Sequence, residues 1–312
     1  MGVGEDRPAI CPVIAGPTAV GKTGLILALA ARHPIEVVSL DSRQIYRGLR
    51  IGTAQPTAEE QAACPHHLVD FLPPSETYSS QRFRDDFIRV AREIHGRGRV
   101  PLLVGGAGLY LTAVQDGFFP VPDDAPDLAG IRSELDGLDD AAVRERLRSV
   151  DAASWERIHP HDRYRSQRAL EIHLLTGRTM TEIRETHVPD PALGLSFPLV
   201  VLDRDRVELR ARIAARTDEM LAAGWIDETR DLLAVHGAGS PGLQTLGYRE
   251  LLGHLIADRP LAEVCDRIVI ETARYAKRQR TWFRTRQRAA GGHPDDPRLR
   301  ETVEALLQRA AG

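Results

Sequence analysis

Eight consecutive residues near the start of the chain have the composition of a loop that binds phosphate. They fit the pattern GxxxxGK[ST], and they are Gly16, Pro17, Thr18, Ala19, Val20, Gly21, Lys22 and Thr23. Glycines in such a loop let backbone N–H groups surround phosphate oxygens, and the N-terminus of the following helix adds partial positive charge. Lys22 supplies a compact charge, and the Thr23 hydroxyl is suited to Mg²⁺. The pattern leaves open whether the phosphates belong to a nucleoside triphosphate or to another diphosphate.

A single carboxylate, Asp41, ends the next apolar segment, residues 36–40. In parallel sheets the carboxyl ends of the strands form the edge where ligands bind, so Asp41 should lie near the phosphate loop. It could hold Mg²⁺, accept a proton from a nucleophile, or cap a turn with Ser42. The sequence leaves these three roles open.

Apolar segments alternate with helical patterns over the first third of the chain, which is typical of βαβ units and a parallel sheet. The predicted strands and helices of this part are strands at residues 9–15, 36–40, 67–71 and 100–104 and helices at residues 22–32 and 79–95. A break rich in proline and aspartate follows near residues 119–127, and the chain is then helical to residue 185. Another strand is predicted at residues 199–202, and a long helix at residues 261–288.

This order predicts an α/β fold, a P-loop NTPase-like core with a parallel sheet and a helical insertion domain. The discontinuous core is assigned to residues 8–118 and 198–290, and the insertion to residues 119–197. Residues 291–312 are predicted to form a C-terminal tail with a loop and a surface helix.

The composition argues against several other classes of protein. No apolar run approaches the ~20 residues of a membrane-spanning helix, and the charged N-terminus does not resemble a signal peptide. Three widely spaced cysteines favour neither a disulfide framework nor a zinc site. We therefore expect a cytoplasmic protein, and by default a monomer.

The basic residues are unevenly distributed, although the net charge of −3 gives no general attraction for nucleic acid. Only two of the 41 basic residues are lysines, one in the phosphate loop and one at Lys277. Residues 272–290 contain seven basic residues and no acidic one, and these are Arg274, Lys277, Arg278, Arg280, Arg284, Arg286 and Arg288. Because five of them share a face at helical spacing, we favour binding to RNA phosphates over a merely solvated helix face.

Several motifs, in order along residues 10–288, resemble those of tRNA dimethylallyltransferases. They are DSRQIYRG at 41–48, IGTAQP at 51–56, PHHLVD at 65–70, LVGGAGLY at 103–110, HPHD at 159–162, RALE at 168–171, LGYRE at 246–250, YAKRQ at 275–279 and TWF at 281–283. The resemblance implies transfer of the dimethylallyl group from dimethylallyl diphosphate to the exocyclic amine of the adenosine 3′ to the tRNA anticodon. It further implies that the phosphate loop holds the prenyl diphosphate and Mg²⁺ without ATP hydrolysis, and that Asp41 is the catalytic base.

Further site residues follow from the resemblance and from charge. Lys22, Thr23 and Arg216 join Asp41 in the predicted catalytic group, and Arg212 joins the phosphate loop on the diphosphate, although local salt bridges are an equal alternative for both arginines. The predicted tRNA-binding residues are Asp41, Ser42, Arg43, Gln44, Ala107, Arg163, Arg165, Arg168, Gln244, Gly247, Tyr248, Arg249, Arg274, Lys277 and Arg278. For Arg163, Arg165 and Arg168, a surface ion-pair network is the alternative.

Two positions depart from the family pattern. Ala107 stands where Thr is usual, which removes a hydroxyl expected near the reacting base, and His161 stands where Asn is frequent. Three rival functions share parts of the pattern. They are a phosphate-loop small-molecule kinase, an adenylate isopentenyltransferase, and a nucleic-acid-binding protein that uses a nucleotide as a switch. The first explains residues 9–41 equally well, but neither the helical insertion nor the basic helix.

Overall fold

A computed structural model describes residues 9–117, 125 and 127–312 of the chain. Within them, six strands form one sheet in the order β3-β2-β4-β1-β5-β6, and every pair is parallel. The strands are β1 (Val13–Ala15), β2 (Ile35–Leu40), β3 (His66–His67), β4 (Val100–Gly105), β5 (Leu199–Leu202) and β6 (Ala290–Gly292). The predicted α/β fold with a parallel sheet is confirmed.

Helices connect and cover these strands. In the described part of the chain they are α1 (Lys22–Ala30), α2 (Ala58–Ala63), α3 (Ser80–Gly96), α4 (Gly108–Asp116), α5 (Leu128–Asp136), α6 (Asp140–Val150), α7 (Ala152–Arg157), α8 (Arg163–Thr176), α9 (Met180–Thr186), α10 (Arg206–Ala222), α11 (Trp225–His236), α12 (Tyr248–Ala257), α13 (Leu261–Arg284) and α14 (Pro297–Ala311). None of the helices described is long and apolar enough to cross a membrane.

The central strand of the sheet leads directly into the phosphate loop. Val13 of β1 pairs with Leu103 of β4 on one side and with Leu199 of β5 on the other. Strands β1, β2, β4 and β5 are buried throughout, as expected of a parallel sheet with helices on both faces. The loop after β1 and the residue after β2 therefore begin at the same carboxyl edge.

The chain separates into two compact units. Residues 117–190 form the smaller unit, and the segments on either side form the larger one. In the smaller unit, helices α5 to α8 enclose an apolar core that includes Leu135, Val143 and Leu170. The predicted linker near residues 119–127 falls largely outside the described residues.

The boundary after the insertion lies earlier than residue 197, where it was predicted. Ala192, Leu195 and Phe197 are buried among the apolar residues on one face of the sheet. Ser196 also accepts a hydrogen bond from Cys11 N at 2.8 Å. Residues 191–197 therefore belong to the larger unit, because their apolar side chains fill its core.

The C-terminal residues are part of the core rather than a tail. Strand β6 pairs with β5, and α14 buries Leu299, Val303 and Leu307 against residues on the other face of the sheet. These side chains recur every four residues, which gives the helix an apolar stripe. The prediction of a surface helix at residues 291–312 is therefore wrong.

Several predicted elements have different ends. Strand β1 begins at Val13 rather than at residue 9, and α1 ends at Ala30 rather than at residue 32. Strand β3 pairs with β2 over only His66 and His67, whereas residues 67–71 were predicted. Helix α13 ends at Arg284, four residues before the predicted end, because the chain turns there to enter β6.

Candidate active site

The phosphate loop between β1 and α1 needs glycine at two positions. A Cβ on Gly16 would lie 2.7 Å from the carbonyl oxygen of Leu202 on the neighbouring strand. Gly21, the N-cap of α1, has φ 105°, which glycine adopts without a steric penalty. Ala19 has φ 62°, a left-handed conformation that costs an L-residue about 1–2 kcal/mol. Contacts around the loop must therefore hold Ala19 in place.

Two arginines of α10 supply such contacts. Arg212 donates from Nε to the carbonyl oxygen of Ala19 at 2.9 Å, and Arg216 donates from Nη1 to Thr18 Oγ1 at 3.4 Å. Both guanidinium groups thus contact the phosphate loop, and neither forms the local salt bridges considered from sequence. The two residues lie one helical turn apart on the side of α10 that faces the loop.

Gln279 of α13, which sequence reasoning did not select, joins three parts of the site. Its Oε1 accepts from Thr18 N at 3.0 Å, and its Nε2 donates to the carbonyl oxygen of Gly106 at 3.1 Å. A Cβ on Gly106 would lie 2.0 Å from that Nε2, so a side chain at this position would displace the Gln279 amide. Gln279 therefore ties the basic helix to the phosphate loop and to the end of β4. The only signal for it in the sequence was its place in the YAKRQ motif.

The Lys22 ammonium is held by backbone carbonyl groups of the phosphate loop. Its Nζ donates to the carbonyl oxygens of Gly16 at 3.0 Å and Pro17 at 2.9 Å. Burial lowers the pKa of the Lys22 ammonium to about 8, while nearby Asp41 opposes that shift and Arg216 adds to it. These three charges therefore act on one another.

Asp41 ends β2 at the same edge of the sheet. Its Oδ1 accepts from the backbone N–H of Arg43 at 2.8 Å and of Gln44 at 3.3 Å, so the residue does cap a turn. Its Oδ2 has no hydrogen bond within the described residues. One carboxylate oxygen thus fixes the side chain, and the other remains for a ligand or a proton.

These groups line one cavity of about 1150 Å³. Its walls include residues 18–23 of the phosphate loop, Asp41, Arg212 and Arg216. Tyr275 of α13 also lines it, and burial together with the Asp41 charge raises the pKa of this phenol to about 12. Tyr275 therefore stays protonated at neutral pH and can donate a hydrogen bond. It was not selected from sequence.

The oxygen donors in the cavity fit Mg²⁺ carried by a phosphate ligand. No cluster of three or more His, Cys, Asp or Glu side chains suited to a metal occurs among the described residues. Thr23, exposed on the first turn of α1, and Asp41 are hard oxygen donors on the cavity wall. Mg²⁺ usually takes one or two protein ligands and completes its shell with water and phosphate oxygens. Thr23 can thus hold the ion only together with a ligand's phosphates.

A second cavity, of about 730 Å³, lies between α10 and α13, and we call it the basic groove. Its basic lining residues are Arg206, Arg210, Arg274, Lys277, Arg280, Arg284 and Arg288. Arg280 is neutralised by Asp203, which it contacts through two nitrogens at 2.8 and 2.9 Å. Sequence reasoning selected Arg274 and Lys277 as tRNA-binding residues. It did not select Arg206 and Arg210, because acidic residues nearby in the sequence balance their charge.

Arg278, predicted to bind tRNA together with Lys277, does not line the basic groove. Its guanidinium lies 5.7 Å from the centre of the Tyr275 ring. Arg274 reaches the groove but also forms an ion pair with Glu271 at 2.6 Å. Phe283 of α13 is fully buried in the core beside the sheet.

The segment containing Gln244 and Tyr248 is mainly structural. The Tyr248 side chain is fully buried, and its hydroxyl donates to Glu228 Oε1 at 2.5 Å and accepts from Gly52 N at 3.0 Å. The hydroxyl of Tyr248 therefore serves the fold, and its predicted contact with tRNA stays a prediction. A Cβ on Gly247 would meet the Trp225 ring at 2.3 Å.

Gln244 and Arg249, from the same segment, are exposed. Gln244 donates to the carbonyl oxygen of Ala238 at 2.8 Å, and Arg249 pairs with Glu250 at 2.6 Å. Their predicted tRNA contacts stay predictions.

The arginines predicted on the insertion form ion pairs within it. Arg163 contacts Asp140 at 2.6 Å and the carbonyl oxygen of Leu138 at 2.6 Å, which fixes the turn between α5 and α6. Arg165 pairs with Asp162, and Arg168 pairs with Glu171. The ion-pair alternative thus describes their contacts, and contact with tRNA stays a prediction.

The remaining predicted residues lie beside Asp41. Arg43 and Gln44 line the cavity, and Gln44 donates to the carbonyl oxygen of Ala54, another lining residue, at 2.8 Å. Ser42 is partly buried between Asp41 and Arg43. The N–H of Ala107 donates to the carbonyl oxygen of Leu40 at 3.0 Å, so this residue joins the ends of β4 and β2.

Comparisons with known proteins agree with this geometry. The family model described as IPP transferase matches residues 44–286, and one described as isopentenyl transferase matches residues 10–66. A tRNA dimethylallyltransferase of Burkholderia thailandensis is 46% identical over 276 residues, which cover 86% of this chain and 85% of that protein.

Solved structures are also similar. A full-length tRNA isopentenylpyrophosphate transferase of Bacillus halodurans has a TM-score of 0.69 at 34% identity, covering 97% of this chain and 98% of its own. A eukaryotic dimethylallyltransferase acting on tRNA has a TM-score of 0.77 at 28% identity, covering 88% of this chain and 70% of its own. The resemblance seen in the motifs is confirmed, and the chain belongs to the IPP transferase family.

Proposed function

We propose that this chain is a tRNA dimethylallyltransferase, which transfers the dimethylallyl group from dimethylallyl diphosphate to N6 of the adenosine 3′ to the tRNA anticodon. The observation that carries the proposal is the cavity in which the phosphate loop, Lys22 and Asp41 come together. A carboxylate beside a diphosphate site suits a transfer in which one group leaves as an anion and the other loses a proton.

In this reaction the N6 nitrogen forms a bond to C1 of the dimethylallyl group while the bond from C1 to the diphosphate oxygen breaks. Asp41 accepts the N6 proton, and its bonds to the amides of residues 43 and 44 keep the carboxylate in position. The released electron pair stays on the diphosphate. Loop N–H groups, Lys22 and Arg216 stabilise that charge.

Mg²⁺, when bound, neutralises part of the diphosphate charge. Thr23 is the proposed protein ligand, because its hydroxyl lies at the cavity wall on the first turn of α1. Lys22 is mostly protonated at neutral pH, since its pKa lies near 8. The phosphate loop needs no γ-phosphate for this chemistry, so we propose that ATP is not consumed.

We further propose that the basic groove binds the tRNA backbone. Exposed arginines on α10 and α13 face one another across it, and basic side chains in such an array neutralise phosphates. The target adenosine is stacked in a folded anticodon loop, so it must leave the stack to reach Asp41. We also propose a cytoplasmic location, because the proposed substrate is a tRNA. We propose a monomer.

The test offers several acceptors to the protein in parallel. Labelled dimethylallyl diphosphate and Mg²⁺ are incubated with unmodified tRNA, with AMP, or with tRNA in which the target adenosine is replaced by guanosine. The RNA is then digested to nucleosides. We expect label in prenylated adenosine from the unmodified tRNA alone.

Label on AMP would indicate an adenylate isopentenyltransferase instead. ATP turnover without prenyl transfer would indicate a kinase. Either result would overturn the proposal.

A further inference from the structure

Arg204, at the junction of β5 and α10, contacts the phosphate loop from outside the catalytic cavity. Its side chain is buried, and its Nε donates to the carbonyl oxygen of Val20 at 2.7 Å. It is absent from the cavity wall, whereas Arg212 and Arg216 line it. Arg204 therefore acts on the loop and not on a ligand in the cavity.

The contact fixes the direction of one peptide group. The peptide between Val20 and Gly21 is trans and planar, so its carbonyl oxygen and its N–H point in opposite directions. Because Arg204 holds the oxygen, the Gly21 N–H points to the other side. That N–H belongs to the glycine that caps α1, where phosphate oxygens bind in loops of this kind.

The guanidinium is itself held by the chain that follows the basic helix. Its Nη1 contacts His293 Nε2 at 2.8 Å and also pairs with Glu208, and its Nη2 lies 3.4 Å from Asp295 Oδ2. Pro294, between those two residues, is buried, and its Cγ would lie 3.5 Å from a Cβ on Gly21. Residues 293–295 thus pack against both Arg204 and the phosphate loop.

We propose that Arg204 is a positioning residue for diphosphate binding, held in place by His293 and Asp295 of the C-terminal segment. It orients the Val20–Gly21 peptide so that the Gly21 N–H faces the diphosphate. The proposal deepens the proposed function, because it concerns the diphosphate part of the same site. It also gives the segment after β6 a role in that site.

The experiment measures the affinity for inorganic pyrophosphate with Mg²⁺ by calorimetry, together with the KM values for both substrates. Arg204→Gln should weaken pyrophosphate binding by about tenfold or more and raise the KM for dimethylallyl diphosphate, with the KM for tRNA unchanged. Arg204→Lys should restore part of the affinity, since an ammonium can still donate to Val20 O. Arg300→Gln, which removes an exposed arginine of α14, is the control.

Unchanged pyrophosphate affinity in Arg204→Gln would overturn the proposal, and so would an equal rise in both KM values. If that variant does not fold, the double variant His293→Ala with Asp295→Ala tests the proposal in the same measurement. It should bind pyrophosphate more weakly than the wild type, and wild-type affinity would overturn the proposal. Absence of prenyl transfer by the wild type would refute the proposed function alone, because pyrophosphate binding is measured without catalysis.

Discussion

The catalytic cavity and the basic groove both present arginine and lysine to phosphate, but they hold them differently. In the cavity, Arg216 and Lys22 are partly buried, are bonded to the phosphate loop, and interact with Asp41. In the groove, Arg206 and Arg210 are exposed. Buried charges have shifted pKa values and fixed positions, whereas exposed ones are screened by salt. The cavity is therefore suited to chemistry at one atom, and the groove to affinity for a long polyanion.

The largest expected effect is at Asp41. Asp41→Asn keeps the size of the side chain but removes the proton acceptor, so the single-turnover rate should fall on the order of 10²–10⁴-fold. The Kd for tRNA should stay unchanged, because the groove supplies that affinity. Rapid-quench measurement with saturating tRNA checks the rate, and filter binding checks the Kd. Lost tRNA binding with a normal rate would make Asp41 a recognition residue.

Lys22 should give the cavity a pH dependence that the groove lacks. The free protein loses the Lys22 proton above pH about 8, and the diphosphate favours the protonated form. Affinity for dimethylallyl diphosphate should therefore fall as the pH rises above that value, approaching about tenfold per pH unit. In Lys22→Arg, the profile should be flat from about pH 7 to 10, because guanidinium does not titrate there. Equal slopes in both proteins would assign the titration to another group.

The groove should respond to salt instead. Arg206→Gln, Arg210→Gln and Lys277→Gln should each lower the slope of log Kd for tRNA against log salt by about 0.7–0.9, since each removes one phosphate contact. The single-turnover rate at saturating tRNA should not change. Arg92→Gln, an exposed arginine of α3, is the matched control. An unchanged slope in all three variants would place the RNA elsewhere.

The smallest effect is expected from substituting Tyr248. This substitution tests whether Tyr248 stabilises the fold or contacts RNA. Tyr248→Phe removes the bonds to Glu228 and to the N–H of Gly52. The free energy of unfolding should fall by about 1–2 kcal/mol, with an unchanged Kd for tRNA. Urea denaturation and filter binding measure the two quantities. A weaker Kd with unchanged stability would restore Tyr248 as an RNA contact.

Sequence reasoning correctly predicted the features that depend on a single short segment of the chain. Strands β1, β2, β4 and β5 are buried throughout and stand out as apolar runs, and the phosphate loop and Asp41 each follow such a run. Gln279 and Arg204 were missed because they meet the loop across 261 and 184 residues of chain. No spacing within a segment reports such a contact.

Burial was the other quantity that the sequence could not supply. Tyr248 stands next to the exposed Arg249 in the sequence, yet its ring is in the core. Residues 291–312 were predicted to form a loop and a surface helix, although Leu299, Val303 and Leu307 already formed a stripe. The position of this stripe against the sheet depends on β6, the strand that precedes α14. Strand β6 has only three residues, and its sequence gives no strong signal for a strand.

The central claim is that the cavity transfers a prenyl group to RNA, and one reaction tests it directly. Wild-type protein, Mg²⁺, dimethylallyl diphosphate and unmodified tRNA are combined, and the intact mass of the tRNA and the released diphosphate are measured in the same sample. The account predicts that the tRNA gains the mass of one dimethylallyl group in place of a hydrogen, with one diphosphate released per group transferred. Diphosphate release without a gain in tRNA mass, or no release at all, would contradict it.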